Sequence, residues 1–171
     1  GVKSKKLEGE PTSDKDGVAH VTQVVNSSQT NVKYEYSIYP DGTVDLQTTY
    51  VPTSANYAGS NQRIRRIGTR FRLPSTFENV SYYARGPWDN FVDRKDCAFL
   101  GRYETTVTDM LEPTPRAQTS GTRTEVRALT LSTKDNEVSL NMLTQGQVDM
   151  QVLHYGTGTL GQYQVPTEGM F

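Results

Sequence analysis

One cysteine, two histidines and one tryptophan among 171 residues leave little material for the commoner specialised chemistries. The lone Cys97 permits no internal disulfide and is silent about redox compartment. It lies in Asp96-Cys97-Ala98-Phe99-Leu100, which reads as a strand entering a core, where a free cysteine is usually a small buried hydrophobe. His20 and His154 are far apart, and neither has a second Cys or His at ligand spacing, which argues against a zinc site. EF-hand spacing of acids, a Gly-x-Ser-x-Gly elbow and a phosphate-cradling glycine loop are all missing, so no cofactor is implied. No apolar run reaches the roughly 18 residues of a bilayer-spanning helix, and no membrane partner is expected. A formal net charge of −1 supplies no field to recruit nucleic acid. The opening Gly1-Val2-Lys3-Ser4 has no signal-peptide pattern, and a first residue other than Met points to processing or to a remnant of cloning. Localisation is open.

What is present is β pattern. Apolar residues make up 34% of the chain, low for a self-contained domain, while the balanced charge argues against disorder. A thinly cored single domain, cut from something larger, is the expectation. Residues 1–17 are polar and read as a linker or opening loop, with residues 18–171 as one β-sandwich domain. Val18 to Val25 is β-rich. Val32, Tyr34, Tyr36 and Ile38 then share one face, and Val44, Leu46, Thr48 and Tyr50 do so after Pro40-Asp41-Gly42, an antiparallel hairpin. Val51 to Gln62 reads as loop. Ile67, Thr69, Phe71 and Leu73 alternate with arginines and predict a strand, its basic face solvated. Further strands are expected over Phe77–Ala84, Thr124–Leu131, Val138–Leu143 and Val148–Leu153, with loops over Leu111–Thr122 and Gly156–Phe171. A short turn near Thr106–Leu111 is the one helix-compatible stretch. Frequent turns and no long 3.6 periodicity give an all-β, antiparallel sandwich.

The densest chemistry lies in Tyr82-Tyr83-Ala84-Arg85-Gly86-Pro87-Trp88-Asp89-Asn90-Phe91-Val92-Asp93-Arg94. Asp89, Asn90 and Asp93 carry oxygen ligands, but such side chains at a tight turn more often bond their own backbone than a metal. Glycosidase chemistry needs two carboxylates flanking one bond; Glu78, Asp89, Asp93, Glu104, Glu112 and Glu125 are available, and spacing alone pairs none of them. Carbohydrate binding suits the stretch better. Trp88 with Tyr82 or Tyr83 offers an aromatic platform, and Arg85, Asp89, Asn90, Asp93 and Arg94 offer donors and acceptors to hydroxyls. The rival is a structural corner in which Gly86-Pro87 bends the chain, Trp88 packs and Asp93 pairs with Arg94 or another arginine. On residue chemistry alone the corner is the stronger reading.

Three motifs carry a resemblance: Ile67-Gly68-Thr69-Arg70-Phe71-Arg72-Leu73-Pro74, then Tyr83 to Arg94, then Gly101-Arg102-Tyr103. In that order and spacing they resemble the C-terminal domain of glycoside hydrolase family 2 β-galactosidases, whose pattern is Gly-Arg-Gly-Pro-x-Glu-Asn-Tyr-x-Asp-Arg followed by Gly-Arg-Tyr. Arg116 to Ala128 is the counterpart of a further family motif, Pro-Gln-Glu-Asn-Gly-x-Arg-x-Asp-Val-Arg-Trp. The resemblance implies an antiparallel β-supersandwich, galactose mutarotase-like, following a catalytic barrel that holds the nucleophile and acid/base glutamates. It also implies the other domains of the parent glycosidase and a β-galactoside or other carbohydrate as partners. Asp89 replaces the usual Glu, Phe91 the Tyr, Thr119-Ser120 the Glu-Asn and Ala128 the Trp, and nothing after Gly156 resembles the family's Gly-Gly-Asp-Asp-Ser-Trp-like loop, so the domain reads either as truncated before that loop or as having lost it. Two rivals follow from the same family of folds: a free-standing mutarotase-like aldose epimerase, needing a Glu and a His on the sugar, and an independent carbohydrate-binding module.

Overall fold

The computed structural model describes residues 2–27, 30–52, 67–112 and 119–154. It is all-β, with two antiparallel sheets and no helix among the described residues. The chain divides into two compact units, residues 1–69 and 70–171.

Unit one holds strands β1 (Val2–Leu7), β2 (Thr12–Ser13), β3 (Ala19–Ser27), β4 (Thr30–Ile38) and β5 (Val44–Pro52), with β1, β3, β4 and β5 side by side and β2 also on β3. The expected hairpin forms: Ile38 faces Val44, Tyr39 O accepts from Gly42 N, and Thr43 N donates to Asp41 Oδ1 at 2.8 Å. Gly42 sits at φ +88°, where a side chain would be strained. Residues 1–17, read as loop, instead supply β1 and β2. Their polar composition hid them, because what they contribute is backbone pairing along β3. The register places Val21, Tyr36 and Leu46 in one row and Val25, Val32 and Tyr50 in another, all on one face. Among the described residues of this unit only Val18 is a buried apolar side chain.

Unit two orders β6 (Phe77–Gly86), β7 (Phe99–Thr106), β8 (Thr122–Thr133) and β9 (Ser139–Gln151) as β7-β6-β8-β9. Every second residue of β6 turns inward, and Val80, Tyr82 and Ala84 are buried with Leu129 and Leu131 of β8. The turn Val107–Met110 adds two core side chains and is closed by Met110 N on Thr106 O, with Thr106 Oγ1 accepting from Asp109 N as a cap. Ile67–Leu73 forms no strand: its alternation meets no partner strand among the described residues, and Ile67 and Phe71 are exposed. Two expected strands near the C-terminus are one, β9, because shifts in the β8–β9 register and bonds from Thr144 Oγ1 to Val126 O and Gly146 O carry the chain past Gly146. Cys97 is exposed; β7 begins only at Phe99, and Ala98 takes the buried position instead. Of the expected loop over 51–62, Val51 and Pro52 instead end β5, paired with β4, and 53–62 lie outside the described residues, as do 113–118 of the expected loop over 111–122 and the tail 156–171.

Candidate functional site

The corner between β6 and β7 opens at the cis Gly86–Pro87 peptide. A Cβ at Gly86 would stand 2.9 Å from Tyr82 Oη and 3.0 Å from the Tyr103 ring, so only glycine lets these two packed rings close under the bend.

Asn90 is the hub. It is fully buried, and its Nδ2 donates to Arg85 O and Trp88 O at 3.1 and 2.9 Å. Its Oδ1 accepts from Thr124 N and Thr124 Oγ1 at 3.1 and 2.5 Å, and its own N–H reaches Thr122 O. All the side chain's strong bonding capacity is thereby used.

Asp89 donates its N–H to Glu112 Oε1 and holds Arg94 Nη2 at 3.5 Å. Arg94 also covers the Phe91 ring at 4.4 Å. Glu112 in turn lies 3.3 Å from Arg123 Nη2. Arg123 is 3% exposed and donates through Nε to Tyr82 Oη, which itself donates to Pro87 O. Burial pushes the Glu112 carboxyl above its usual range; the Asp89 N–H opposes this, the Asp89 charge adds to it and Arg123 opposes it.

Arg85 faces a second acid. Its Nε is 2.8 Å from Glu125 Oε1, an ion pair rather than a well-aligned hydrogen bond, and its Nη1 donates to Ala98 O. Lys95 Nζ reaches the same oxygen at 2.6 Å, and Arg127 binds the Glu125 carbonyl. Lys95 and then Arg85 hold the Glu125 carboxyl below its usual range. Glu125 adopts φ +56°, at the register shift between Arg123 and Val126.

Of the six candidate ligand residues, Asn90 is enclosed and Arg85 and Asp89 are committed to neighbours, while Trp88, Asp93 and Arg94 are exposed. Trp88 does not pack: it is 62% exposed. Tyr82 cannot serve as its platform, because it is buried, and Tyr83 lies on the opposite sheet face between Arg102 and Arg127 at 5.4 and 5.6 Å. Arg94 pairs with Asp89, not with Asp93.

The residues that residue-by-residue reading missed are Ser120, Arg123 and Thr124; Glu112 stood among the unpaired carboxylates but was not tied to the turn. Ser120 Oγ donates to Glu112 O and accepts from Glu112 N, closing the loop that carries Glu112. A signal existed: Gly121 and Arg123 keep their places in the downstream motif, and the structure joins that motif to the corner. Gly121 sits at φ +76°, with Met110 O 2.7 Å from where a Cβ would be. Outside the corner, Glu78 accepts from Thr108 N and Oγ1 at 3.1 and 2.6 Å and meets His154 Nε2 at 3.1 Å. No group of three or more His, Cys, Asp or Glu among the described residues is placed to hold a metal.

The sequence matches the family described as Beta galactosidase small chain over residues 2–168. It is 28% identical over 143 residues to a β-galactosidase of Halalkalibacterium halodurans, covering 83% of this chain and 14% of that protein. Similar matches are a β-galactosidase of Priestia megaterium, 27% over 148 residues, 85% of this chain and 14% of that one, and one of Streptococcus thermophilus, 31% over 117 residues, 67% and 11%. The chain thus spans about a seventh or less of the length of these relatives. With a family match across nearly its whole length, and its two motifs interlocked at one corner, the chain belongs to the β-galactosidase small-chain family.

Proposed function

We propose that the chain is the non-catalytic C-terminal β-sandwich domain of a β-galactosidase-like glycoside hydrolase, supporting a catalytic barrel carried by another part of the enzyme, with the Trp88 turn contacting carbohydrate. The observation that carries this reading is that the corner's polar groups are spent on one another. Asp89 gives its backbone N–H to Glu112 and its carboxylate to Arg94, and Glu112 also meets Arg123, so each corner carboxylate already has its own partner. Three cations surround Glu125, and Glu78 is engaged by Thr108 and His154. The half-buried apolar face of unit one supports a role against other protein, since a sheet with one apolar face needs a covering layer.

The Glu78–His154 contact is the one arrangement that favours an aldose epimerase, but the two groups bond each other instead of facing across a sugar-sized gap. Trp88's exposure suits a binding module equally well. The test has two arms. An aryl-β-galactoside assay on the 171-residue chain gives no turnover, and turnover abolished by Glu112→Gln or Glu78→Gln refutes the reading. Trp88→Ala leaves stability within about 0.5 kcal/mol, as exposed sites do, and weakens glycan binding; unchanged glycan affinity removes the turn as a sugar contact.

A further inference from the structure

Glu112 grips the residues on both sides of Trp88. Its Oε1 accepts the Asp89 N–H directly, and the same oxygen lies 3.3 Å from Arg123 Nη2. From Arg123 the bonding continues through Nε to Tyr82 Oη and from that hydroxyl to Pro87 O, at 3.2 and 3.1 Å. The backbone of Glu112 is fixed, since Ser120 Oγ donates to its carbonyl and accepts from its N–H. Only the side chain is left to swing, and it is 30% exposed, within reach of solvent protons. Both of these contacts fall on Oε1, which leaves Oε2 to carry a proton. The charged and titratable groups facing this carboxyl are Asp89 from the turn, with Arg94 behind it, Tyr82 from β6 and Arg123 from β8. Protonated on Oε2, Glu112 keeps both grips through Oε1 and meets Asp89 as a neutral acid. Ionised, it sets a second negative charge against the Asp89 carboxylate in partly buried surroundings. Burial, the largest cause, and the Asp89 charge together outweigh the Asp89 N–H and Arg123, so the carboxyl titrates above its usual range.

We infer that Glu112 is a proton-operated latch on the Trp88 turn: protonated, it fastens Asp89 to Arg123, and on ionising it swings to water and loosens the turn that presents Trp88. The inference rests on the reading of Trp88 as a carbohydrate contact, and it adds a regulation of that same site. The sign follows from linkage. A raised carboxyl holds its proton more tightly in the closed corner, so closure is favoured at low pH and is lost as pH rises through the folded value. Asp89 stays with Arg94 in both states, so the latch is the Glu112 arm alone. A loose turn must be ordered when a sugar settles on the indole, and that ordering costs affinity. Binding is therefore stronger below the Glu112 titration than above it, by up to about tenfold, the factor that one pKa unit carries.

Trp88 is the only tryptophan, so indole emission reports this turn alone. The experiment follows emission and acrylamide quenching of the 171-residue chain from about pH 4 to about pH 8, with circular dichroism alongside. One step is expected, centred above 4.5, with stronger quenching on its alkaline side and unchanged circular dichroism. Glu112→Gln keeps the Oε1 acceptor but has no proton to lose, and it should abolish the step. Asp89→Asn removes the facing charge and should move the step to lower pH. The affinity for methyl β-galactoside, read by calorimetry, should fall across the wild-type step and stay flat in Glu112→Gln. A wild type without a step, a step that accompanies unfolding, or the same step in Glu112→Gln overturns the latch and leaves the sugar reading standing. A step that depends on Glu112, with no galactoside bound at any pH, removes the sugar reading and upholds the latch. Galactoside affinity that is equal on both sides of such a step overturns the regulation.

Discussion

Replacing Asn90 by Ala tests whether the corner is architecture. The substitution removes four hydrogen bonds and orphans Arg85 O, Trp88 O, Thr124 N and Thr124 Oγ1. The two carbonyls lie in partly buried surroundings and regain water. The two Thr124 groups are buried, and each orphaned buried group costs about 1–3 kcal/mol, so the loss comes to about 2–6 kcal/mol before relaxation. Rotation of the Thr124 hydroxyl toward a new acceptor recovers part of it, leaving about 3 kcal/mol. For a chain of this length that corresponds to a fall in Tm of about 10 °C. Asn90→Asp is the informative companion: it keeps the acceptor for Thr124 but turns a second oxygen toward two carbonyls, so it should not rescue. Thermal unfolding followed by circular dichroism reads both. A fall of less than about 3 °C for Asn90→Ala would refute the reasoning, and a loss of glycan affinity at unchanged Tm would convert Asn90 from clamp to ligand.

Gly121→Ala places a Cβ 2.7 Å from Met110 O at a positive φ, so it should cost about 1–3 kcal/mol in chemical denaturation, whereas alanine at Gly146, which has open space, should cost far less. The two corner carboxyls give opposite pH signatures. Glu125 is held below its usual range, so its contribution is present above its unfolded pKa and is lost as pH falls through its folded one; Glu125→Gln should flatten the acid limb of the stability curve. Glu112 is raised, so its contribution is full below its unfolded pKa and is lost as pH rises through its folded one; Glu112→Gln should flatten the curve just above pH 4.5. Urea midpoints across pH measure both, and parallel curves for wild type and variants would contradict the assigned shifts.

Period-two patterning carried most of the fold. Where one face is apolar and the other polar, as in Val32 to Ile38 against Lys33 to Ser37, alternation declares both strand and register. Strands held by backbone pairing alone, such as lysine-rich β1, have no such signature. Ile67 to Leu73 shows the converse: alternation is a preference that a partner strand must complete, and none does so among the described residues. The site was legible as a place but not as a network. Asn90, Asp89 and Arg85 were visible in the Gly-Pro stretch, but their partners Thr124, Glu112 and Glu125 come from 23 to 40 residues further along the chain. No local spacing rule spans that distance. Only the preserved order of two motifs hinted that one held the other.

That interlock bears on how the substitutions in the family pattern are read. Asp89 stands where a longer Glu is usual, and its backbone N–H, not its carboxylate, is what Glu112 grips. A shorter acid at this position therefore leaves that contact intact while its carboxylate still reaches Arg94. Asn90, Gly86 and Arg123, which match the pattern, are the residues whose removal would orphan buried groups or force a clash. Phe91 replaces a Tyr and still lies under Arg94 with the face of its ring, an interaction that needs no hydroxyl. Ser120, changed from the pattern's Asn, still closes the loop that carries Glu112, and Asp93, which is kept, lies exposed. Trp88, exposed at the tip, is the side chain by which the proposed sugar contact at this corner stands or falls.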